Sequence, residues 1–512
     1  MTQSSSGTET ILAYHEATKH SVESVRRGGH MLDFTNMPRP WKLYDAPLPE
    51  TPLPSELTRT GVSVREALPG DGKPAGGGAE ATLGKLASVL QLSAGITKRL
   101  RARNGYMYFR AAACTGALYH IELYVVSGPL PDLPAGVYHY GAHDNTLRRV
   151  RDGDYRAVVM EAAGLEGPPA AVVVYTSTFW RNSWKYGSRT YRHAFWDSGT
   201  ILAHSTAAAR ASGMKAELIT RYADAPINGL IDVDGATEAS VALLSLGAGR
   251  DAPPAGGPAR MDTPVIPLSR ESIDYPQIRE AHAATTLNDP APVGPAPKHE
   301  EKDAASGGNL VPMGEGEPLT RTLEDVILQR GSSRRFARDP IRLSALAAML
   351  DAAARPVQPD GCEADEAFND MYVIANAVEG LPEGIYRYRA SMRSLEQVSA
   401  LETRALSEHL ALDQPLGGDA AADLYFIADM PAVLERWGAR GYRTAHLDAS
   451  IRAGRVYLAA YALGLGATGL TFYDDEVVEA ADAGSGSAVT FLVAVGVPWR
   501  NRSREGEQPE PS

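Results

Sequence analysis

LPAGVYHY at positions 133–140 returns as LPEGIYRY at 381–388. Upstream of each octet runs an apolar segment, IELYVV (121–126) or NDMYVI (369–374). Tyr124 and Tyr372 stand 248 positions apart, as do Leu133 and Leu381. Downstream, YRHAFWDSG (191–199) returns as YRTAHLDAS (442–450) at an offset of 251. Each YR segment leads into an Ala-rich amphipathic helix, ILAHSTAAARASGM in the first half and IRAGRVYLAAYALGL in the second. Each half closes on an apolar strand with a Gly stop, ASVALLSLGAG (239–249) and AVTFLVAVGVP (488–498). Three collinear matches imply two copies of one α+β domain. Copies of this kind pack as a pseudo-two-fold dimer, because their shared faces are self-complementary. A ligand site is then expected where the copies meet.

The chain is long enough, at 512 residues, for two to four domains. Hydrophobic residues at 44% and charged residues at 22% are ordinary for a globular protein and exclude disorder throughout. The net charge of −12 argues against nucleic-acid binding, since phosphate contacts need a basic face. Two cysteines, Cys114 and Cys362, exclude a disulfide framework and a CxxC…CxxC zinc site. His120, His139, His193 and His204 show no HxxxH or HExxH spacing, so no metal is expected. The start, MTQSSSGTETILAYHEATKH, lacks a basic region followed by an apolar run. The apolar stretch 453–470 carries Arg455 and is short and Gly-rich for a bilayer span. The expected location is the cytoplasm, without membrane association. Residues 251–320 are rich in Pro, Gly, Ala and charge and read as a linker of extended chain, with a brief helix docking at 269–282. The expected layout is an N-terminal domain over 1–250 with an extension at 1–55, this linker, a C-terminal domain over 321–504 and a tail at 505–512.

The second half opens with LEDVILQRGSSRRFARDPI (323–341). Arg330, Ser332 and Arg334 alternate, so an extended turn points all three one way. Two guanidinia flanking a hydroxyl suit a phosphate or a polyhydroxyl chain, although a solvated basic run is the plainer reading of the charge alone.

RGSSRRF resembles the Arg-x-Ser-x-Arg opening of the FMN-dependent nitroreductase family, which grips the ribityl phosphate. FRAAACTGALYHIELYVV (109–126) resembles the family's second signature, with Ala113 and Cys114 where Pro and Ser are usual. GLGATGLTFYDDEVVE (464–479) resembles the loop passing over one face of the flavin. The segment YHEATKHSVESVRRGGHMLDFTNMPRPWKLY resembles the opening of one branch, the SagB/ThcOx-type dehydrogenases, which oxidise azoline rings in peptides. The resemblance implies two tandem nitroreductase-like domains of α+β class, a fused pseudo-dimer with FMN at the junction. The counterpart of ACTGALYH in the second half is CEADEAF (362–368), whose acidic groups would repel a phosphate. The counterpart of RGSSR in the first half reads as GVSVR (61–65), with Gly61 in place of the first Arg. One composite site is therefore expected to survive, with one FMN per chain. The resemblance assigns to it Arg330, Ser332, Arg334, Gly466, Thr468, Gly469, Leu470 and Thr471 from the second half. Thr115, Gly116 and Ala117 come from the first, and Arg502 from the cluster VGVPWRNRSR (495–504).

WRNSWKYGSRTYR (180–192) carries a Lys185-Tyr186 pair, whereas the second half reads ERWGARGYR (435–443). In azoline dehydrogenases a Lys-Tyr motif at this place is linked to catalysis. Aromatising an azoline removes a hydride from one ring carbon and a proton from its neighbour, so a base is needed beside the flavin. The resemblance implies Lys185 as base or electrostatic partner and Tyr186 as proton relay; a surface Lys beside a packing Tyr is the plain alternative. Trp180 and Trp184 are candidates for the cleft wall, or are core. Cys114 reads as a small buried residue in place of Ser, with a redox role as the alternative. The expected activity is FMN-dependent oxidation of thiazolines or oxazolines in a peptide or carrier-bound substrate, with a cyclodehydratase as partner. The rivals are an NAD(P)H-dependent nitro or quinone reductase of the same fold, and a flavin-less scaffold subunit.

Overall fold

The computed structural model describes residues 2–28, 31–69, 78–102, 105–254, 256–258, 260–290, 309–362 and 367–499. Each half builds a seven-stranded antiparallel sheet. The first contains β1 (Glu50–Pro52), β2 (Ile121–Ser127), β3 (Gly136–Gly141), β4 (Thr146–Asp152), β5 (Pro169–Thr178), β6 (Ala216–Ile219) and β7 (Glu238–Ala248), in the order β1-β4-β3-β2-β5-β7-β6. The second contains β8 (Leu310–Pro312), β9 (Asp370–Ala375), β10 (Gly384–Arg389), β11 (Ser394–Ser399), β12 (Ala422–Asp429), β13 (Gly466–Gly469) and β14 (Ser487–Gly496). Its order is β8-β11-β10-β9-β12-β14-β13, the same arrangement. The two-copy α+β fold expected from the repeat is the fold of the chain. The repeated octets are β3 and β10, and the apolar segments before them are β2 and β9. Ile121, Leu123 and Val125 of β2 join the main core, while Tyr124 and Val126 join a second core on the sheet's other face. That is the period-2 alternation of a strand covered on both sides.

Between the sheets lie α1 (Leu83–Ala94), α3 (Thr190–Ala211), α5 (Leu343–Ala354) and α7 (Arg440–Ala462). Two shorter helices, α2 (Phe179–Tyr186) and α6 (Met430–Trp437), precede α3 and α7. α3 and α7 cross at small residues. A Cβ on Gly199 would collide with Ser450, and one on Gly454 would come within 2.6 Å of the Ala203 Cβ. Gly199 and Ser450, like Ala203 and Gly454, are each other's counterparts at the 251 offset, so each helix meets its own copy. This is the self-complementary contact of a two-fold interface.

The same axis relates two buried ion-pair clusters. Arg440 Nη1 donates to Asp224 Oδ2 at 2.8 Å, and Arg443 Nη1 to Asp224 Oδ1 at 2.8 Å. Reciprocally, Arg189 and Arg192 of the first half donate to Asp474 of the second, at 3.1 and 2.5 Å. Burial raises both carboxyls, yet the paired guanidinia outweigh it: Asp224 is held at about 2 and Asp474 well below the usual carboxylate range. The Arg of the repeated YR motif is thus the group that joins the halves.

Two sequence expectations change. Residues 260–290 are docked over more of their length than the brief helix expected at 269–282. Arg39 N donates to the Leu268 carbonyl and Asp45 N to that of Pro264, both at 2.8 Å. Helix α4 (Pro276–Thr285) starts later than the brief helix expected at 269–282 and buries Ile278, Ala281, His282 and Thr285, an i, i+3, i+4, i+7 face. Residues 310–312 already belong to the second sheet as β8. Second, GVSVR (61–65) is not the counterpart of RGSSR. Ser63 and Thr322 bridge to one another, and each caps the short helix after it, Val64–Ala67 or Leu323–Gln329. The counterpart of RGSSR therefore follows Ala67. The sequence LPGDGKPAGG (68–77) contains no Arg, and 70–77 lie outside the described residues. The Ser-x-Arg spacing shared by Ser63/Arg65 and Ser332/Arg334 is what misaligned them.

Candidate active site at the junction of the two halves

The RGSSR turn of the second half reaches the ACTGALYH turn of the first. Arg330 Nε donates to the Ala111 carbonyl at 2.5 Å and Nη2 to that of Arg110 at 2.9 Å. Nη1 takes the Gly331 carbonyl at 3.0 Å. Arg330 is buried, its hydrogen bonds go to backbone carbonyls, and burial lowers its pKa. Three of its five donors are thus committed to backbone across the junction, and the residue acts first as a tie between the halves. Arg334, by contrast, is exposed with no hydrogen-bond or ion-pair partner among the described residues. Ser332 is exposed and lies close enough to Tyr457 to lower its pKa against burial.

The turn rests on β13. Ser333 N donates to the Ala467 carbonyl at 2.9 Å. A side chain on Gly466 would collide with the Ser333 hydroxyl, which explains the glycine. Gly469 N donates to Tyr457 Oη at 2.5 Å, and Thr468 is buried beneath. Leu470 packs on Phe336. Thr471 Oγ1 is buried without a hydrogen-bond partner among the described residues.

On the facing side one carboxylate organizes the ACTGALYH turn. Asp197, on α3, accepts from Thr115 N (2.9 Å) and Thr115 Oγ1 (2.7 Å). It also accepts from Cys114 Sγ (3.0 Å) and meets His120 Nε2 at 3.0 Å. The turn passes through left-handed backbone at Gly116 (φ 63°), Ala117 (54°) and Tyr119 (51°). Burial and Asp197 push the Cys114 thiol well up, so it is held as a neutral donor to Asp197. Thr115 spends both donors on Asp197, which leaves exposed Gly116 and half-buried Ala117 as the rest of the turn. Asp197 was missed in the sequence, although its signal was there: it is the Asp of YRHAFWDSG, repeated as Asp448.

Lys185 and Tyr186 end α2 beside this turn. The Tyr186 ring covers Gly116 so closely that a Cβ there would lie 2.6 Å from its hydroxyl. Its ring meets His193 edge-on at 4.8 Å. Burial, aided by Asp197 and Cys114, pushes the phenol well above its ordinary pKa, and Arg334 from the other half pulls it partly back. Lys185 is exposed, with Nζ 5.1 Å from the Tyr186 ring centroid. Trp180 and Trp184 are buried. Trp180 Nε1 donates to Ser269 Oγ at 2.8 Å and Trp184 Nε1 to the Asp33 carbonyl at 3.0 Å. They anchor the N-terminal segment and the 268–275 segment beside Tyr186, and Trp180 also lines a cavity of about 490 Å³ together with Lys42, Arg181 and Tyr275. Arg502 lies outside the described residues, as do residues 363–366 of the acidic CEADEAF stretch.

The model of the nitroreductase family matches residues 327–497. A nitroreductase-family protein of Methanocaldococcus jannaschii is 30% identical over 163 residues, 31% of this chain and 82% of that protein. A nitroreductase-family crystal structure from Anabaena variabilis, 24% identical, covers 96% of this chain and 99% of its own with a TM-score of 0.76, a likeness of fold. The chain belongs to the nitroreductase family, and it is an oxidoreductase of tandem nitroreductase-like architecture. Among the described residues, no helix is long and apolar enough to cross a membrane.

Proposed function

We propose that the chain is an FMN-dependent dehydrogenase that aromatises thiazoline or oxazoline rings in a peptide or carrier-bound substrate. FMN is the cofactor typical of the family. The site suits it: an unpartnered Arg334 for a phosphate, a buried Thr471 hydroxyl with no partner, and the narrow Gly116 turn opposite them. Arg334, Ser332, the 466–471 segment and the Gly116–Ala117 backbone would hold it. When bound, FMN supplies a two-electron acceptor.

The observation that carries the reading is the place of Lys185 and Tyr186. The pair stands at the one junction where the RGSSR and ACTGALYH turns meet, and its counterpart in the other copy is Arg436-Trp437. Aromatisation releases one ring proton along with a hydride. In this reading the ring proton passes to the Tyr186 oxygen as the phenolic proton passes to a neutral Lys185 amine, while the hydride leaves for the flavin. A reductase has no carbon acid to deprotonate and needs no such pair. Replacing Lys185 by Ala is expected to leave a yellow protein that no longer removes two hydrogens from an azoline peptide, read by mass spectrometry; full activity in that variant sinks the reading. The M. jannaschii relative's nitroreductase name favours a second reading, hydride transfer from NAD(P)H to a nitro or quinone acceptor. Rapid anaerobic bleaching of the flavin by NADPH would decide for it. A cyclodehydratase partner belongs to the first reading only.

A further inference from the structure

Outside both large sheets, residues Ile96–Ala102 and Gly105–Arg110 form a two-stranded antiparallel ribbon of their own. Its sequence, ITKRLRARNGYMYFR, has five basic residues and no acidic one, in a chain of net charge −12. Lys98, Arg99 and Arg101 are exposed, with no ion pair among the described residues. The register places Arg99 opposite Tyr108 and Arg101 opposite Tyr106, which puts two cations and two phenols on one face; Leu100 faces Met107 on the other. The Arg99 guanidinium lies 4.6 Å from the Tyr106 ring centroid. Leu100, Tyr106 and Met107 are 44%, 51% and 53% exposed. The base of the ribbon is fixed: Trp41 meets Tyr108 edge-on at 5.2 Å, and the Arg110 carbonyl accepts from Arg330. The second strand then runs directly into the Cys114–Ala117 turn of the site. At about 3.3 Å per residue, the ribbon extends roughly 17 Å from that base.

We infer that this ribbon is the docking surface for an extended, acidic segment of polypeptide that brings the substrate to the junction. The inference rests on the reading that the substrate is borne on a polypeptide. Uncompensated cations on a protruding edge attract carboxylates from an otherwise repelling acidic surface. The outer edges of an isolated ribbon offer backbone groups to a strand laid alongside. The exposed Leu100, Tyr106 and Met107 supply apolar contacts for side chains of the same segment.

The test is fluorescence anisotropy on the full FMN-loaded chain without turnover. The probes are a fluorescein-labelled Glu/Asp-rich peptide of about 16 residues, the same peptide with Gln/Asn in place of the acids, and labelled oligo-dT. The acidic peptide is expected to bind, with affinity falling as salt rises. The amide peptide is expected to bind at least about tenfold more weakly, and K98E/R99E/R101E to lose at least about tenfold for the acidic one. Because the three side chains are exposed, the variant should keep its FMN content and unfolding temperature. Equal binding of both peptides, undiminished binding by the variant, or tighter binding of oligo-dT each overturns the inference. Binding is read apart from catalysis, so a failed azoline assay with intact acidic-peptide binding faults the proposed reaction and not the docking surface.

Discussion

Thr471 and Thr220 stand at corresponding places, and what faces them differs. The register aligns them: Gly469 lies opposite Val493 as Leu218 lies opposite Leu244, and each threonine follows two residues later. Thr471 Oγ1 is buried and unpartnered. Thr220 donates through its hydroxyl to Asp360 and through its backbone N at 2.7 Å, and Arg221 N adds a third bond at 3.0 Å. Asp360 belongs to the other half and sits in left-handed backbone at φ 54°. A carboxylate of the protein thus fills in the second junction the donors that the first leaves open. The other differences run the same way. His120 on Asp197 becomes Asn369 on Asp448. Tyr186 over a glycine becomes Trp437 beneath the Arg221 guanidinium, 4.7 Å from its ring centroid. Duplication kept the scaffold symmetric, with reciprocal Asp224 and Asp474 clusters, while one junction was closed from within. The comparison predicts one FMN per chain.

The symmetric part carries the largest expected effect. Replacing Asp224 by Ala strands Arg440 and Arg443 without their carboxylate, and breaking a buried pair this way costs about 3–5 kcal/mol. Chemical denaturation should register that loss, and Asp474→Ala should match it if the two clusters are equivalent. The pH dependence has a fixed sign. Asp224 at about 2 lies below the usual value near 4 for an unfolded Asp, so its contribution is present above about pH 4 and is lost as pH falls towards 2. Asp474, lowered further, loses its share at still lower pH. An unfolding temperature that stays flat between pH 5 and about 2 contradicts this.

Much of this was legible in the sequence because a repeat declares itself through spacing. The octets, the YR segments and the closing apolar strands gave two copies of one domain, and the complementary survival of RGSSR and ACTGALYH pointed to the junction. Contacts made across the duplication were not legible. Nothing in a linear reading shows that Arg443 pairs with Asp224, some 219 residues away. The acid that closes the second junction is equally invisible in a linear reading: it is Asp360, just before the more acidic CEADEAF stretch. The Arg330 turn reaches the first half, but the Arg330 guanidinium ties backbone there, which leaves Arg334 as the cation of the motif without a hydrogen-bond or ion-pair partner among the described residues.

That division sets the next prediction. Arg334→Ala should weaken FMN binding about 10- to 100-fold, the range of a charge-assisted hydrogen bond worth about 1.5–3 kcal/mol, measured by titrating the apoprotein. Arg221→Ala at the closed junction should leave FMN affinity unchanged. Equal losses in both variants would mean that the two junctions still share the cofactor, and the comparison would break.

The smallest effect is the sharpest, because it uses the same substitution twice. Thr220→Ala removes a hydroxyl bonded to a carboxylate and should cost about 1–2 kcal/mol of stability with no change in FMN affinity. Thr471→Ala removes a buried hydroxyl that has no partner, which in the FMN-free chain is neutral or stabilising. Its cost should surface only with the flavin present, as a few-fold weaker binding. Unfolding of both variants, with and without FMN, separates the outcomes. If Thr471→Ala destabilises the FMN-free chain as much as Thr220→Ala does, its hydroxyl already has a protein partner and the open junction is not open.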